Sequence, residues 1–230
     1  MRKLAWSLAL LALALCLGSL PAMAQTTFFS DLGTGSNVYN CCSGWTMSGS
    51  GTLGNYVFDA NEFMAGATGS LTQIDIGLGY VEGTNSFFVA LYSDTNNLPG
   101  TLLGQWNDLS SSQQFGGCCG LVSITGITGI TLTSGQDYFL VIGPTDNNST
   151  LWGAWNQNST GANGLLLQAS SGCSNGGAAG CNWSSFSGST LGAFDVIGST
   201  GQTVPEPSSL LLLGTGFVAA FGSIRRKLKK

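Results

Sequence analysis

From residue 4 to residue 224 the chain has no lysine, no arginine and no histidine. All seven basic residues stand at the ends, Arg2 and Lys3 at one and Arg225, Arg226, Lys227, Lys229 and Lys230 at the other. The interior therefore has acids but no cationic side chain to pair with them. A surface of one sign repels phosphate backbones and anionic headgroups, which excludes nucleic acid as a partner. Without histidine there is no ordinary serine or cysteine triad, and without lysine no Schiff base. Without arginine there is no bidentate clamp for phosphate or carboxylate. Carboxylate chemistry survives, chiefly glycoside hydrolysis, which needs two correctly spaced acids. The interior acids, Asp31, Asp59, Glu62, Asp75, Glu82, Asp94, Asp108, Asp137, Asp146 and Asp195, are scattered mostly at turns, as solubility alone requires. The expectation is that the protein is not an enzyme, with a carboxylate-dependent glycosidase as the remote alternative.

Both basic clusters abut apolar runs. Arg2 and Lys3 precede the run 4–20, followed by Pro21 and then Ala22-Met23-Ala24, a small-x-small cleavage site. Residues 1–24 read as a signal peptide, cleaved after Ala24 to leave Gln25 first. A lipoprotein signal on Cys16 is disfavoured because Leu15, not a small residue, stands before it. At the other end, Pro205-Glu206-Pro207 precedes the uncharged run 208–224 and the basic tail 225–230. As a helix that run just reaches the lower limit for crossing a bilayer. The tail would stay in the cytoplasm, leaving the chain before it outside.

These three features in fixed order resemble the PEP-CTERM sorting signal of Gram-negative bacteria, over residues 204–230. The resemblance implies recognition and removal by an exosortase, with Pro205, Glu206, Pro207, Arg225 and Arg226 as the sorting motif. It also implies transient anchoring in the inner membrane, then the cell surface or matrix, in association with exopolysaccharide and biofilm.

Residues 25–203 are long enough for one domain with a proper core. They hold six cysteines: Cys41, Cys42, Cys118, Cys119, Cys173 and Cys181. An even count in an exported chain reads as disulfides. Zinc is the rival, but no Cys-x-x-Cys spacing or histidine supports it. Because adjacent cysteines bond each other under strain, the expected pairing joins Cys41-Cys42 to Cys118-Cys119 and closes a local loop with Cys173 and Cys181.

Alternation dominates the interior. Ile74, Ile76, Leu78 and Tyr80 alternate with Asp75, Gly77 and Gly79, and similar patterns run through 87–92 and 138–142. Further strands are predicted over 55–59, 102–106, 121–124, 151–156, 164–169 and 194–197. No internal repeat and no convincing interior helix are predicted. The fold class is all-β, an antiparallel β-sandwich of jelly-roll type. Residues 88–94, 98–103 and 155–161 resemble the choice-of-anchor ectodomains, type R, which implies a β-sandwich but no activity.

Two site expectations follow. Asp94, Asn96 and Asp146 bring oxygen ligands to predicted loops and are the candidates for calcium, against the plainer reading that Asp and Asn cap their own turns. Among Trp45, Trp106, Trp152, Trp155 and Trp183, a stacking platform for a neutral exopolysaccharide is expected at Trp152, Trp155, Asn156 and Asn158, against the plainer reading that the rings fill the core. The functional expectation is a structural or adhesive matrix protein. The alternative is a lectin-like glycan-binding module, with no cofactor other than calcium.

Overall fold

The computed structural model describes residues 23–203, of which Gln25–Thr200 form one compact unit. The signal-peptide run, the Pro-Glu-Pro residues, the apolar run 208–224 and the basic tail lie outside the described residues. Among the described residues no helix is long and apolar enough to cross a membrane.

The domain is all-β, with strands numbered here along the chain. One sheet runs in the order β1 (Met23–Ser30), β14 (Phe194–Thr203), β4 (Gly69–Ile76) and β8 (Val122–Thr125), with β9 (Thr131–Leu132) also on β4. The largest sheet has six strands in the order β13 (Ser184–Thr190), β12 (Asn163–Ala169), β3 (Phe58–Met64), β10 (Asp137–Pro144), β6 (Phe87–Asp94) and β7 (Pro99–Leu109). A third sheet places β11 (Trp152–Asn158) between β2 (Tyr39–Ser48) and β5 (Leu78–Glu82). The pairings within the six-stranded sheet are antiparallel. A single four-residue helix, α1 (Ser50–Leu53), is the helical element described.

The six-stranded sheet is apolar on both faces because its central strands alternate one kind of apolar residue with another. In β10, Tyr138, Leu140 and Ile142 enter one core cluster while Phe139 and Val141 enter a second. In β6, Phe87, Val89 and Leu91 face the first, and Phe88, Ala90 and Tyr92 the second. The first cluster is shared with the other sheets through Leu71, Ile74, Ile76, Leu78, Trp155, Phe194 and Val196, so it is the common core. A fully buried Leu or Phe side chain there contributes about 1.5–3 kcal/mol.

The second face is covered by the segment between β12 and β13, residues 170–183. Ala178 is buried in that cluster, with Cys173, Cys181 and Trp183 packed against it. Cys173 and Cys181 are bonded to each other and close the strap. Buried Asn147 clamps it: Nδ2 donates to the carbonyls of Cys173 (3.4 Å) and Ser174 (3.2 Å), and Oδ1 accepts from Gly176 N (3.1 Å). Gln105 Nε2 donates to Gly176 O at 2.8 Å.

Two differences from the sequence reading are instructive. The alternating stretch 74–80 is not one strand. It breaks at Gly77, whose N–H donates to Ala193 O (3.0 Å) and whose carbonyl accepts from Asn156 N (2.9 Å), so Ile76 ends one sheet and Leu78 begins another. Alternation continues through the break because both sheets bury their even-numbered residues in the same core. Strands β1, β2, β9 and β13 were not predicted. β13 reads Ser-Ser-Phe-Ser-Gly-Ser-Thr and is mostly exposed, so no apolar period marks it; pairing with β12 makes it a strand.

Opening the strap should uncover an apolar sheet face. For a loop of this size the bridge constrains the unfolded chain by about 2–3 kcal/mol. Replacing Cys173 and Cys181 with serine is expected to lower Tm by roughly 5–10 °C and raise binding of a hydrophobic dye. Asn147→Ala should lower Tm in the same direction. Calorimetry showing either variant as stable as the parent would contradict the clamping role.

Candidate functional site

Antiparallel pairing separates the expected calcium ligands. Asp94 ends β6, where its neighbour Ser93 faces Tyr138 at the start of β10; Asp146 follows the other end of β10, beyond the Pro144–Phe87 pair. Strand rise of about 3.3 Å per residue puts a sheet length between them, so Asp94 and Asp146 cannot share an ion. Each stands beside a turn of its own instead. Thr95 N donates to Leu98 O at 2.9 Å around Asn96 and Asn97, both left-handed (φ 57° and 60°), which is the turn geometry of a tight hairpin. Asp146 Oδ1 accepts from Asn148 N at 3.0 Å. Among the described residues no group of three or more acidic or thiol side chains is arranged to hold a metal ion.

The expected sugar platform is likewise taken apart. Trp155 is fully enclosed, with Nε1 donating to Ala193 O at 3.1 Å, and Asn156 and Asn158 are buried. Asn158 Nδ2 ties Ala162 O (2.8 Å) to Leu191 O (2.9 Å), a structural post and not a ligand contact. Trp45 faces Trp155 across β2 and β11 and donates to Thr190 O, Trp183 belongs to the strap and packs against the second cluster, and Trp152 is half-buried. The tryptophans form no exposed row.

Trp106 is different. It lies in an open groove of about 340 Å³ between edge strand β7 and the β8–β9 connection, lined by residues 103–106 and 126–130. Gly104 makes room for the ring: a Cβ there would come 2.7 Å from Ile130 Cδ1 and 3.1 Å from Trp106 Cη2. The opposite wall is a three-residue repeat that the sequence reading missed. Ile124 and Ile127 are buried and Ile130 is partly buried, Thr125, Thr128 and Thr131 are exposed, and Gly126 and Gly129 have positive φ (71° and 77°). That period of three was the signal available; neither a helical nor a strand template detects it. The lining is uncharged, an aromatic with amide and hydroxyl neighbours, and no carboxylate flanks it.

The carboxylates cluster elsewhere. Asp195 lies in register with Asp75 across β14 and β4, and burial first, then the charge of Asp75, lifts Asp195 to about 6. Asp31 is raised to about 7 by burial, opposed by the hydrogen bond that its Oδ1 accepts from Phe194 N (2.8 Å) and assisted by Asp195. Asp59, wholly buried with Gln168 Nε2 donating to Oδ1 at 3.0 Å, is raised by burial to about 8. Glu62 is raised by burial and by Asp137 and Asp94. Lacking cations, the domain holds Asp31, Asp59, Glu62 and Asp195 above the ordinary carboxylate range.

Cys173 and Cys181 are bonded as expected, whereas the other four cysteines depart from the expected pairing. Cys118 bonds its neighbour Cys119, while Cys41 and Cys42 are thiols with their sulfurs 3.4 Å apart. Of the expected processing residues, Gln25 is exposed in β1. Ala24 lies within β1, and Ala22 lies outside the described residues, as do Pro205, Glu206, Pro207, Arg225 and Arg226.

Residues 203–227 match the family described as the PEP-CTERM protein-sorting motif. That motif is present in this chain. It implies an exported protein, transiently anchored in the membrane and processed by exosortase. No curated protein matches the chain. Among solved structures, the infectious bursal disease virus Gx strain structure is similar at 10% identity, covering 89% of this chain and 51% of that one, with a TM-score of 0.27. The VP2 subviral particle of infectious bursal disease virus is similar at 9% identity, covering 91% and 50%, with a TM-score of 0.27. The chain spans about half the length of each.

The buried acids set the pH response. The native state holds protons that the unfolded chain, near 3.8, releases. Their contribution is therefore full below about pH 4 and is lost as pH rises through the native values of about 6 to 8. Tm is expected to fall by on the order of 10 °C between mildly acidic and mildly alkaline buffer. Asp59→Asn should flatten that decline. A Tm that climbs across the same range would show the acids to be ionised in the fold.

Proposed function

We propose that the protein is an exosortase-processed surface or matrix protein associated with exopolysaccharide and biofilm, its β-domain acting in a structural or adhesive and non-catalytic role. The sorting motif at 203–227 carries this reading. The domain suits it: the strap bridge fits an oxidising compartment, and the interior has no cation for anionic substrates. The choice-of-anchor resemblance and the surface or matrix destination belong to the same reading.

A second reading is supported by one observation, the uncharged groove at Trp106. Aromatic faces with nearby amides and hydroxyls stack and orient sugars, and the absence of cations directs the choice to a neutral polysaccharide. A glycosidase receives no support there, because the groove lining offers no acid–base pair.

In an exosortase-containing host, peptide mapping of surface or released protein should find Gln25 as its first residue and nothing beyond the Pro-Glu-Pro region. Replacing Arg225 and Arg226 should leave the unprocessed form in the inner membrane. Recovery of the 217–225 peptide from wild-type surface protein would overturn the sorting reading. For the second reading, affinity electrophoresis in neutral polysaccharide should show retardation that Trp106→Ala abolishes while the melting curve stays cooperative. Equal retardation of both proteins would remove the groove as the site.

A further inference from the structure

We infer that Cys41, Cys42, Cys118 and Cys119 form one thiol–disulfide exchange site, through which the Cys41-Cys42 dithiol opens the Cys118–Cys119 disulfide and ties β2 covalently to the 113–120 segment. The two pairs, far apart in sequence, are brought alongside each other by several independent contacts. Gly116 N donates to Cys41 O at 2.8 Å, and Tyr39 OH donates to Gly120 O at 3.1 Å. Cys118 Sγ lies 3.9 Å from Tyr39 O, and Cys119 Sγ lies 3.3 Å from Ser36 O. The disulfide thus sits against the strand that carries the thiols, with Cys118 sulfur beside the carbonyl two residues before Cys41. Phe115 N and Tyr80 N fix the segment further, donating to Tyr80 O (2.8 Å) and Gln113 O (2.9 Å).

The thiols are accessible as well as near. Cys42 is exposed and Cys41 is half-buried. Their sulfurs lie 3.4 Å apart, and the hydrogen bond and charge of Cys41 raise Cys42; Cys41, whose own carbonyl holds Gly116 of the disulfide's segment, is placed as the attacking group. Attack of the Cys41 thiolate on Cys118 Sγ forms the Cys41–Cys118 bond and breaks Cys118–Cys119. The electron pair leaves on Cys119, which takes up the proton that Cys41 gave up, so the step is an isomerisation with no net oxidation. The remaining thiols, Cys42 and Cys119, close a second bridge only by transferring two electrons and two protons to a disulfide oxidant, which becomes two thiols.

The domain has no lysine or arginine for trypsin, but cleavage before aspartate separates the pairs, since Asp31 and Asp59 bracket one and Asp108 and Asp137 the other. Full-length exported protein is equilibrated with reduced and oxidised glutathione, alkylated in acid, digested this way and mapped by mass spectrometry. The expected result is a disulfide-linked pair joining the 31–58 and 108–136 peptides in most molecules. Two unlinked peptides, each with its own bridge or with glutathione adducts, would overturn the inference. In a second arm, Cys42→Ser with Cys119→Ser leaves one thiol on each segment. That variant should close a single intramolecular bridge, whereas two persistent free thiols or covalent dimers would count against the site. Should the variant misfold, the wild-type map decides.

Discussion

A six-stranded sheet with apolar residues on both faces cannot stand in water on either side, and the rest of the domain is arranged around that constraint. The inner face is met by the two smaller sheets, which contribute Ile74, Ile76, Leu78, Trp155 and Phe194 to one core. The outer face, with Phe58, Phe88 and Phe139, has no further sheet to cover it among the described residues. A glycine-rich strap supplies the cover. Such a segment has little apolar mass of its own, so a bridge between Cys173 and Cys181 and the polar clamp of Asn147 hold it down.

The absence of cations shapes the interior as strongly as hydrophobicity does. In most folded domains a buried carboxylate is paired with arginine or lysine; here pairing is impossible, so burial and protonation replace it. Asp59 is kept in the core with Gln168 as its donor, and Asp31 fastens the backbone at Phe194. Among the described residues the cross-strand pair Asp75 and Asp195 has no counterion. Such a domain is poorly suited to binding anions.

The candidate groove is a product of edges. β7 ends the six-stranded sheet, and its outer side is open to the connection that leaves β8. Trp106 lies there because Gly104 leaves its ring a place, and the isoleucines of the three-residue repeat anchor the opposite wall to the core while its threonines stay outside. Trp155, expected in the platform, sits instead on a strand flanked by two others and is fully enclosed, where an indole is worth more as core than as a binding surface.

Local information was enough for the class of fold and for the sorting signal of the chain. Period-two alternation in 87–92 and 138–142 reflects strand geometry directly, and the sorting signal is read by its order along the chain, so neither depends on distant contacts. Tertiary structure alone decided the rest. Whether Trp155 or Trp106 faces water depends on which sheet covers which, and a strand cannot report its neighbours. Asp94 and Asp146 look alike as turn acids, yet antiparallel pairing sends them to opposite ends of one sheet. Gly77 divides an unbroken alternation because partners far away in the chain, Ala193 just before β14 and Asn156 in β11, take its two hydrogen bonds. The adjacent cysteine pairs were expected to meet and do lie alongside each other, but which sulfurs are bonded was not legible, since the contact of residues 36–41 with 116–120 is long-range and set by tertiary structure.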